Sequence, residues 1–387
     1  MKNRFFIDYI LLQFLFYVVM GVFCGYGSYL LINFGFSTAV TGIIMSIGSI
    51  SSAIIQPIFA SLVDNSKKYT LFDACTFISA LLIILSILGY MQVNAGILII
   101  LIYIGITATY GCFESLINSI PIILANNGQQ INYGIGRATG SLGYAIATAM
   151  LGLLTAKFPF KIILIVSALT SILLFIVSLI SAKNFASINS KTEKQETISY
   201  KEFLKRHKSF LLLILLTICL YFSFTMVDNR MDVIVGSVGG TSKQQGLIMS
   251  FKAMLEIPII FFYKKIEDKF SAKTLLKVAA FSFTLKSFLY YISSDITLIW
   301  ITQLTQITSI ALEIPAMVSY INSIMDKKEL VRGQALFIMC TTIASVLSSF
   351  FSGIIIESFS IKTMLLICFI VSAISSLIYP FVIDRIE

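Results

Sequence analysis

Twelve long apolar stretches, parted by short polar loops, decide what this chain can fold into. They run approximately over 8–32, 40–63, 71–90, 96–122, 133–155, 161–182, 209–235, 244–263, 274–293, 296–320, 334–357 and 361–383. Each is long enough to cross a ~30 Å hydrocarbon core, for which roughly 20 helical residues suffice. In lipid every backbone N–H and C=O needs a partner within the protein, so only helices and closed barrels span it. These runs are continuous, not ten-residue alternations of apolar and polar side chains, and that selects helices over a barrel. The expected fold is all-α and integral to the membrane, with twelve transmembrane helices.

Charge supports this. Only 12% of the 387 residues are charged, where a water-solvated domain carries about 25%. The net charge of +9 is read as topogenic rather than as a nucleic-acid surface. Cys24, Cys75, Cys112, Cys219, Cys340 and Cys368 all fall inside apolar segments without metal-ligand spacing. They read as small buried hydrophobes, and neither a metal nor another cofactor is expected. The single histidine, His207, lies in a charged loop. The first segment is too long for a cleavable leader and reads as a true span.

Residues 183–208 are polar, charged and poor in large apolar side chains. They cannot bury a core and are expected to link two halves, 1–182 and 209–387. Basic residues gather in alternate loops: Lys2 and Arg4, Lys67 and Lys68, the linker, Lys264, Lys265, Lys269 and Lys273, then Lys327, Lys328 and Arg332. The other loops hold Lys157, Lys161, Lys243 and Lys362. Both termini and the linker are therefore expected on the cytoplasmic side.

The halves repeat. Gly42-Ile43-Ile44-Met45-Ser46 returns 204 residues later as Gly246-Leu247-Ile248-Met249-Ser250. At the same offset Asp64 falls on Asp268, and Ile117-Asn118-Ser119-Ile120 on Ile321-Asn322-Ser323-Ile324. Three matches at one offset imply two pseudo-symmetric six-helix bundles, an arrangement that places a substrate near the membrane midplane.

Polar residues inside spans are costly, and by default they face a cavity or each other. Tyr103, Thr107, Tyr110, Glu114 and Asn118 form one helical stripe on the fourth span; Tyr133, Arg137, Ser141, Tyr144 and Thr148 form another on the fifth. Tyr221, Thr225, Asp228 and Asp232 share a face of the seventh, with Arg230 pointing elsewhere. Lys252 and Glu256 stand one turn apart on the eighth. Gln303, Gln306 and Glu313 mark the tenth, and Lys286 the ninth. Two readings of Asp228, Arg230 and Asp232 stand: ion pairs to Lys252 or Lys286, or contact with a solute. Pro57, Pro121, Pro258 and Pro315 lie within spans, where a kink is tolerated.

Three stretches resemble a known family. Tyr133-Gly134-Ile135-Gly136-Arg137-Ala138-Thr139-Gly140-Ser141-Leu142-Gly143-Tyr144 is similar to the YGxxRxxGSxG pattern of the major facilitator superfamily's lactose permease, phenylpropionate and nucleoside proton symporters. Glu256-Ile257-Pro258, followed by Phe261, Phe262 and a basic loop, is the second. Pro57 to Lys68 is the third, a degraded copy of the superfamily's signature loop that keeps Asp64 but has Ala60 and Asn65 in place of the usual glycine and arginine. The resemblance implies that Arg137 contacts a solute, that Glu313 carries a proton, and that Lys286 stands near a functional basic position. It also implies that spans 3, 6, 9 and 12 lie outside the cavity. The tenth span has no histidine, and Glu114 is displaced by over a turn from the expected carboxylate.

The expected function is a secondary active transporter, not an enzyme. It would move a small polar solute (a sugar, nucleoside or aromatic acid) across a bacterial cytoplasmic membrane by proton symport and alternating access. The alternative is a drug or metabolite exporter working as a proton antiporter. Expected solute contacts are Arg137, Glu114, Tyr110, Tyr144, Asn118, Asp228, Asp232 and Gln306. Glu313, Glu256, Lys286 and Lys252 are expected in proton coupling, and Asp64 and Asp268 in gating. The expected partners are the solute, protons and lipid, with no nucleic acid, and the chain is expected to act as a monomer.

Overall fold

A computed structural model of the chain describes residues 2–66, 70–129, 133–185 and 200–386. Of the residues singled out above, Lys67, Lys68, the linker residues 186–199 and the side chains of Lys2, Asp64, Asn65, Tyr133 and Lys327 lie outside the described residues. The helices are α1 (Lys2–Phe34), α2 (Thr38–Asn65), α3 (Leu71–Met91), α4 (Ile97–Asn126), α5 (Tyr133–Thr155) and α6 (Ile162–Asn184). There follow α7 (Tyr200–Arg206), α8 (Lys208–Asp228), α9 (Met231–Ser237), α10 (Ser242–Glu267) and α11 (Ala272–Ile292). Last come α12 (Ile296–Thr302), a 3-10 turn (Gln303–Gln306), α13 (Ile310–Ile324), α14 (Lys327–Ser358) and α15 (Ile361–Ile383). Among the described residues twelve helical segments are long and apolar enough to cross a membrane, with α12 to α13 counted as one.

Local chemistry sets the ends. Thr70 and Asp73 close a reciprocal capping box on α3, with Asp73 Oδ2 accepting from the Thr70 N–H at 2.8 Å and Thr70 Oγ1 from the Asp73 N–H at 3.2 Å. Asp295 caps α12 by accepting from the N–H groups of Thr297 and Leu298. Gly35 and Gly239 take positive φ, +107° and +76°. In each case the glycine and the residue after it bond back to the last helical turn, Gly35 to Ile32 and Phe36 to Leu31, Gly239 to Gly236 and Gly240 to Val235. That crossed pair is a Schellman ending, which an L side chain would strain.

The chain forms two compact units, Met1–Glu193 with Thr241–Met254, and Lys194–Gly240 with Leu255–Glu387. In the first, α5 lies against α1 through a stripe of glycines. A Cβ at Gly136 would meet the Tyr9 ring, one at Gly140 the Tyr17 ring, and one at Gly143 the Phe14 carbonyl oxygen. The glycine-rich stretch of the fifth span is thus a packing surface that lets two backbones approach, the main source of helix association where lipid offers no hydrophobic drive. Small residues serve α3 and α6 likewise: Ser86 Oγ and Ser167 Oγ meet at 2.7 Å. Within the same unit the start of α10 is held to α1. Gln245 Nε2 donates to the Gly25 carbonyl at 3.0 Å, and the Tyr26 hydroxyl donates to the Ser242 carbonyl at 3.1 Å. Asp8, buried in the second turn of α1, accepts from Asn184 Nδ2 of α6 at 2.6 Å.

In the second unit α8 packs among α11, α14 and α15 around Phe210, Leu220, Tyr221, Phe283, Phe337 and Tyr379. Two expected continuous spans are broken. The seventh stops at Asp228 and resumes at Met231, so Asp228 and Asp232 do not share one helical face. The intervening Arg230 is fully buried, and its Nε donates to Ser352 Oγ of α14 at 3.0 Å. The adjacent Asn229 donates to Ser349 Oγ at 2.9 Å. These two bonds hold the break, which hydropathy does not record. The tenth span passes through the 3-10 turn, so Gln303, Gln306 and Glu313 are not one α-helical stripe. Large side chains such as Ile54, Leu62, Phe281, Leu377 and Phe381 are more than half exposed. Water does not favour so broad an apolar surface, and lipid does.

Candidate solute and proton residues in the two units

In the first unit Arg137 projects from α5 with its guanidinium carbon 4.7 Å from the centre of the Tyr17 ring on α1. The glycine stripe brings that ring to it: Gly140, one turn on, leaves the space that Tyr17 fills. A guanidinium stacked on an aromatic face keeps its fork of donors aligned in one plane. Tyr110 Oη lies 3.5 Å from Cys24 Sγ. Tyr144 is partly buried, and the Lys252 ammonium stands 6.0 Å from its ring centre. Glu114 is half-buried on α4, and Asn118, one turn on, is exposed.

In the second unit Glu313 is 2% exposed. Its Oε2 accepts from the Tyr221 hydroxyl at 2.5 Å, and its Oε1 has no hydrogen-bond partner among the described residues. Tyr221 and Glu313 come from α8 and from the first turn of α13. Lys286 of α11 is buried, donates to Gln306 Oε1 and stands 5.0 Å from the centre of the Phe224 ring. Gln306 Nε2 donates to Glu256 Oε1 at 2.7 Å. Gln306 therefore bridges a buried ammonium and a carboxylate, a pairing that neither charge could forgo cheaply at membrane depth. Lys286, Asp228, Phe224 and Tyr290 line one small cavity with space for about one water molecule. Asp232 is half-buried in the first turn of α9. Asp268 is exposed, after the end of α10.

The structure thus brings together Glu313 with Tyr221, and Lys286 with Gln306 and Glu256. Two contributors have no signal in spacing. Tyr17 lies 120 residues before Arg137, and Tyr290 meets Gln303 from another helix. At the linker end, His207 Nε2 and Glu329 Oε2 lie 3.0 Å apart, and Arg206 donates to Glu329 Oε1 at 3.3 Å. Glu329, in the first turn of α14, is buried at this pairing.

Residues 6–385 match the profile of the family described as "MFS_1 like family". The chain is 24% identical over 299 residues to "Uncharacterized transporter YwbF" of Bacillus subtilis (strain 168), covering 75% of this chain and 71% of that one. It is 23% identical over 286 residues to "Maltose permease" of Geobacillus stearothermophilus, covering 73% and 70%. Its fold is similar to that of a crystallised variant of the nucleoside transporter NupG, with a TM-score of 0.80 at 15% identity over 99% of each chain. It is also similar to a bacterial homologue of the human lysosomal transporter Spinster, with a TM-score of 0.77 at 12% identity over 100% and 97%. Twelve apolar spans, the shared fold and a match across nearly the whole length make this chain a member of the MFS_1-like family of major facilitator transporters.

Proposed function

We propose that this transporter takes up a small hydroxylated solute together with protons, by alternating access in a bacterial cytoplasmic membrane with both termini cytoplasmic. The observation that carries the reading is Glu313. It is a buried carboxyl with one neutral donor on one oxygen and no partner on the other. A group in that setting exchanges a proton without breaking an ion pair, as a proton carrier must. Arg137, held flat on Tyr17, offers paired donors to vicinal hydroxyls. Glu114 and Asn118 supply acceptor and amide groups on α4, and Tyr110 and Tyr144 supply ring faces. Asp228, Asp232 and Gln306 complete the proposed solute contacts. Lys252, Lys286 and Glu256 balance charge through the proton cycle, and Asp64 and Asp268 are proposed to act at the gate.

The names of the relatives narrow the solute. A nucleoside and maltose share a hydroxylated ring, so sugars and nucleosides head the panel and aromatic acids follow. The test follows external pH in lightly buffered, de-energised cells expressing the protein while each solute is added. Transient alkalinisation with one solute, lost in Arg137→Ala and in Glu313→Gln, supports the reading. No pH response to any solute, with dye accumulation that rises on deletion of the protein, overturns it in favour of an exporter.

A further inference from the structure

The 3-10 turn in the tenth span is gripped at both ends by α11. The Tyr290 hydroxyl donates to Gln303 Oε1 at 3.2 Å and accepts from Gln303 Nε2 at 2.8 Å. One turn away on α11, Lys286 donates to Gln306 Oε1. All four side chains are at most 4% exposed. The spacing of these two rungs matches 3-10 winding best. Lys286 and Tyr290 are four residues apart on an α-helix, a rise of about 6 Å. Gln303 and Gln306 are three apart, which also gives about 6 Å in a 3-10 helix, where such residues eclipse one another. In an α-helix the same pair would rise about 4.5 Å and be turned about 60° out of line, a poorer match to the two rungs.

We propose that Tyr290–Gln303 and Lys286–Gln306 are a clamp that holds residues 303–306 in 3-10 winding, with Gln303 and Gln306 as positioning residues for Glu313. Resting on the reading of Glu313 as proton carrier, the clamp ties the proton site to whatever takes the Lys286 ammonium from Gln306. That competitor is a hydrogen-bond acceptor, a solute hydroxyl or carboxylate, and the cavity beside Lys286 gives the ammonium a place to move into. Once the rung opens, the four residues rewind as α-helix. They lose about 80° of turn and about 2 Å of length. The movement passes through the turn at 307–309, where the Ser309 N–H bonds to the Thr305 carbonyl and the Glu313 N–H to the Ser309 carbonyl, and Glu313 turns with α13 and leaves the Tyr221 hydroxyl. Without that donor the bare carboxylate is disfavoured, so solute arrival and proton uptake at Glu313 become one movement.

The test uses purified full-length protein with its native cysteines replaced and spin labels at Phe281→Cys on α11 and Val318→Cys on α13, both on exposed side chains. The distance between the labels is read without solute and without a pH gradient. A turn of about 80° carries a side chain at the rim of a helix roughly 11 Å wide through about 7 Å. The proposal expects a shift of at least about 3 Å in Gln306→Leu, in Lys286→Met and in the double variant, whose apolar pair leaves no ammonium stranded. Tyr290→Phe, which removes only the other rung and keeps the ring, is expected to move the distance the same way. It keeps the test open if loss of Gln306 unfolds the protein. An unchanged distance in the folded variants overturns the clamp. Because no solute or gradient is involved, that failure leaves the proton-uptake result standing, and absent proton uptake leaves a shifted distance standing.

Discussion

The Tyr221 hydroxyl reaches across from α8 to donate to Glu313 Oε2 at 2.5 Å, while Oε1 of the same carboxyl meets no donor among the described residues. A carboxyl so placed is tied to the fold by a single neutral bond. It can change protonation without first dismantling an ion pair.

Glu313→Gln imitates the protonated acid and cannot release a proton. Net uptake against a gradient is expected to fall to background, while exchange of solute across an equilibrated membrane persists. Radiolabelled solute in proteoliposomes separates the two. Equal loss of both would remove Glu313 from coupling.

Tyr17 and Arg137 give a second prediction. Tyr17→Leu keeps bulk but removes the ring face, a contact worth about 0.5–2 kcal/mol. The half-saturation concentration for solute is expected to rise roughly 3- to 30-fold with little change in maximal rate. Arg137→Lys, which lacks the planar fork, is expected to cost more than about tenfold. Uptake kinetics at fixed pH are the measurement. An unchanged half-saturation in both variants would place Arg137 outside the solute site.

Ser352→Ala removes the acceptor of a fully buried guanidinium Nε at the break between α8 and α9. A buried donor left without that acceptor costs about 1–3 kcal/mol. Tm in detergent is expected to drop by several degrees, with solute affinity kept. A Tm equal to that of the parent would show that Arg230 is held by its other contacts alone.

Gly143→Val would drive a side chain into the backbone oxygen of Phe14 on α1. Backbone cannot step aside as a side-chain tip can, so the variant is expected to fold poorly or fall sharply in Tm. Gly96→Val, where an added Cβ meets nothing within 4 Å, serves as the control in the same melting series.

Glu329→Ala strips the anchor from His207 and Arg206. Arg206 is 55% exposed and also meets Glu202 at 2.5 Å, so solvent screens much of the loss and the global cost is small. Local fastening is expected to fail instead: limited trypsin cleavage after Arg206 should quicken several-fold, read by mass spectrometry. An unaltered cleavage rate would mean that buried Phe203 alone seats α7.

How much of this was legible beforehand depends on range. Apolar length alone placed the twelve spans, since lipid imposes one rule on every residue of a span. The glycine-rich pattern around Arg137 was visible, but its meaning was not. Gly136, Gly140 and Gly143 are explained by Tyr9, Tyr17 and Phe14, over 120 residues earlier. Glu313 stood out by resemblance, and Tyr221 only as a ring on a stripe; their bond joins α8 to α13. The two broken spans escaped for a related reason. Their polar residues fit an uninterrupted α-helical reading, and Ser349, Ser352, Lys286 and Tyr290, which hold the breaks, lie on other helices. Lys252 and Glu256, read as a pair, instead find Tyr144 and Gln306 as neighbours, which nothing local to α10 could announce.

The glycine stripe between α1 and α5 has one last consequence. Tyr9, Tyr17 and Phe14 sit directly over Gly136, Gly140 and Gly143, while Ala147 and Thr148 of α5 meet Gly21 and Gly25 of α1, so small residues on both helices fix one register between them. The ring of Tyr17 rides on one helix and the guanidinium of Arg137 on the other. Their mutual setting is then fixed by the seam between the two helices. Under the role proposed for Arg137, the pair would serve as a caliper of fixed jaw, offering every candidate solute one gauge.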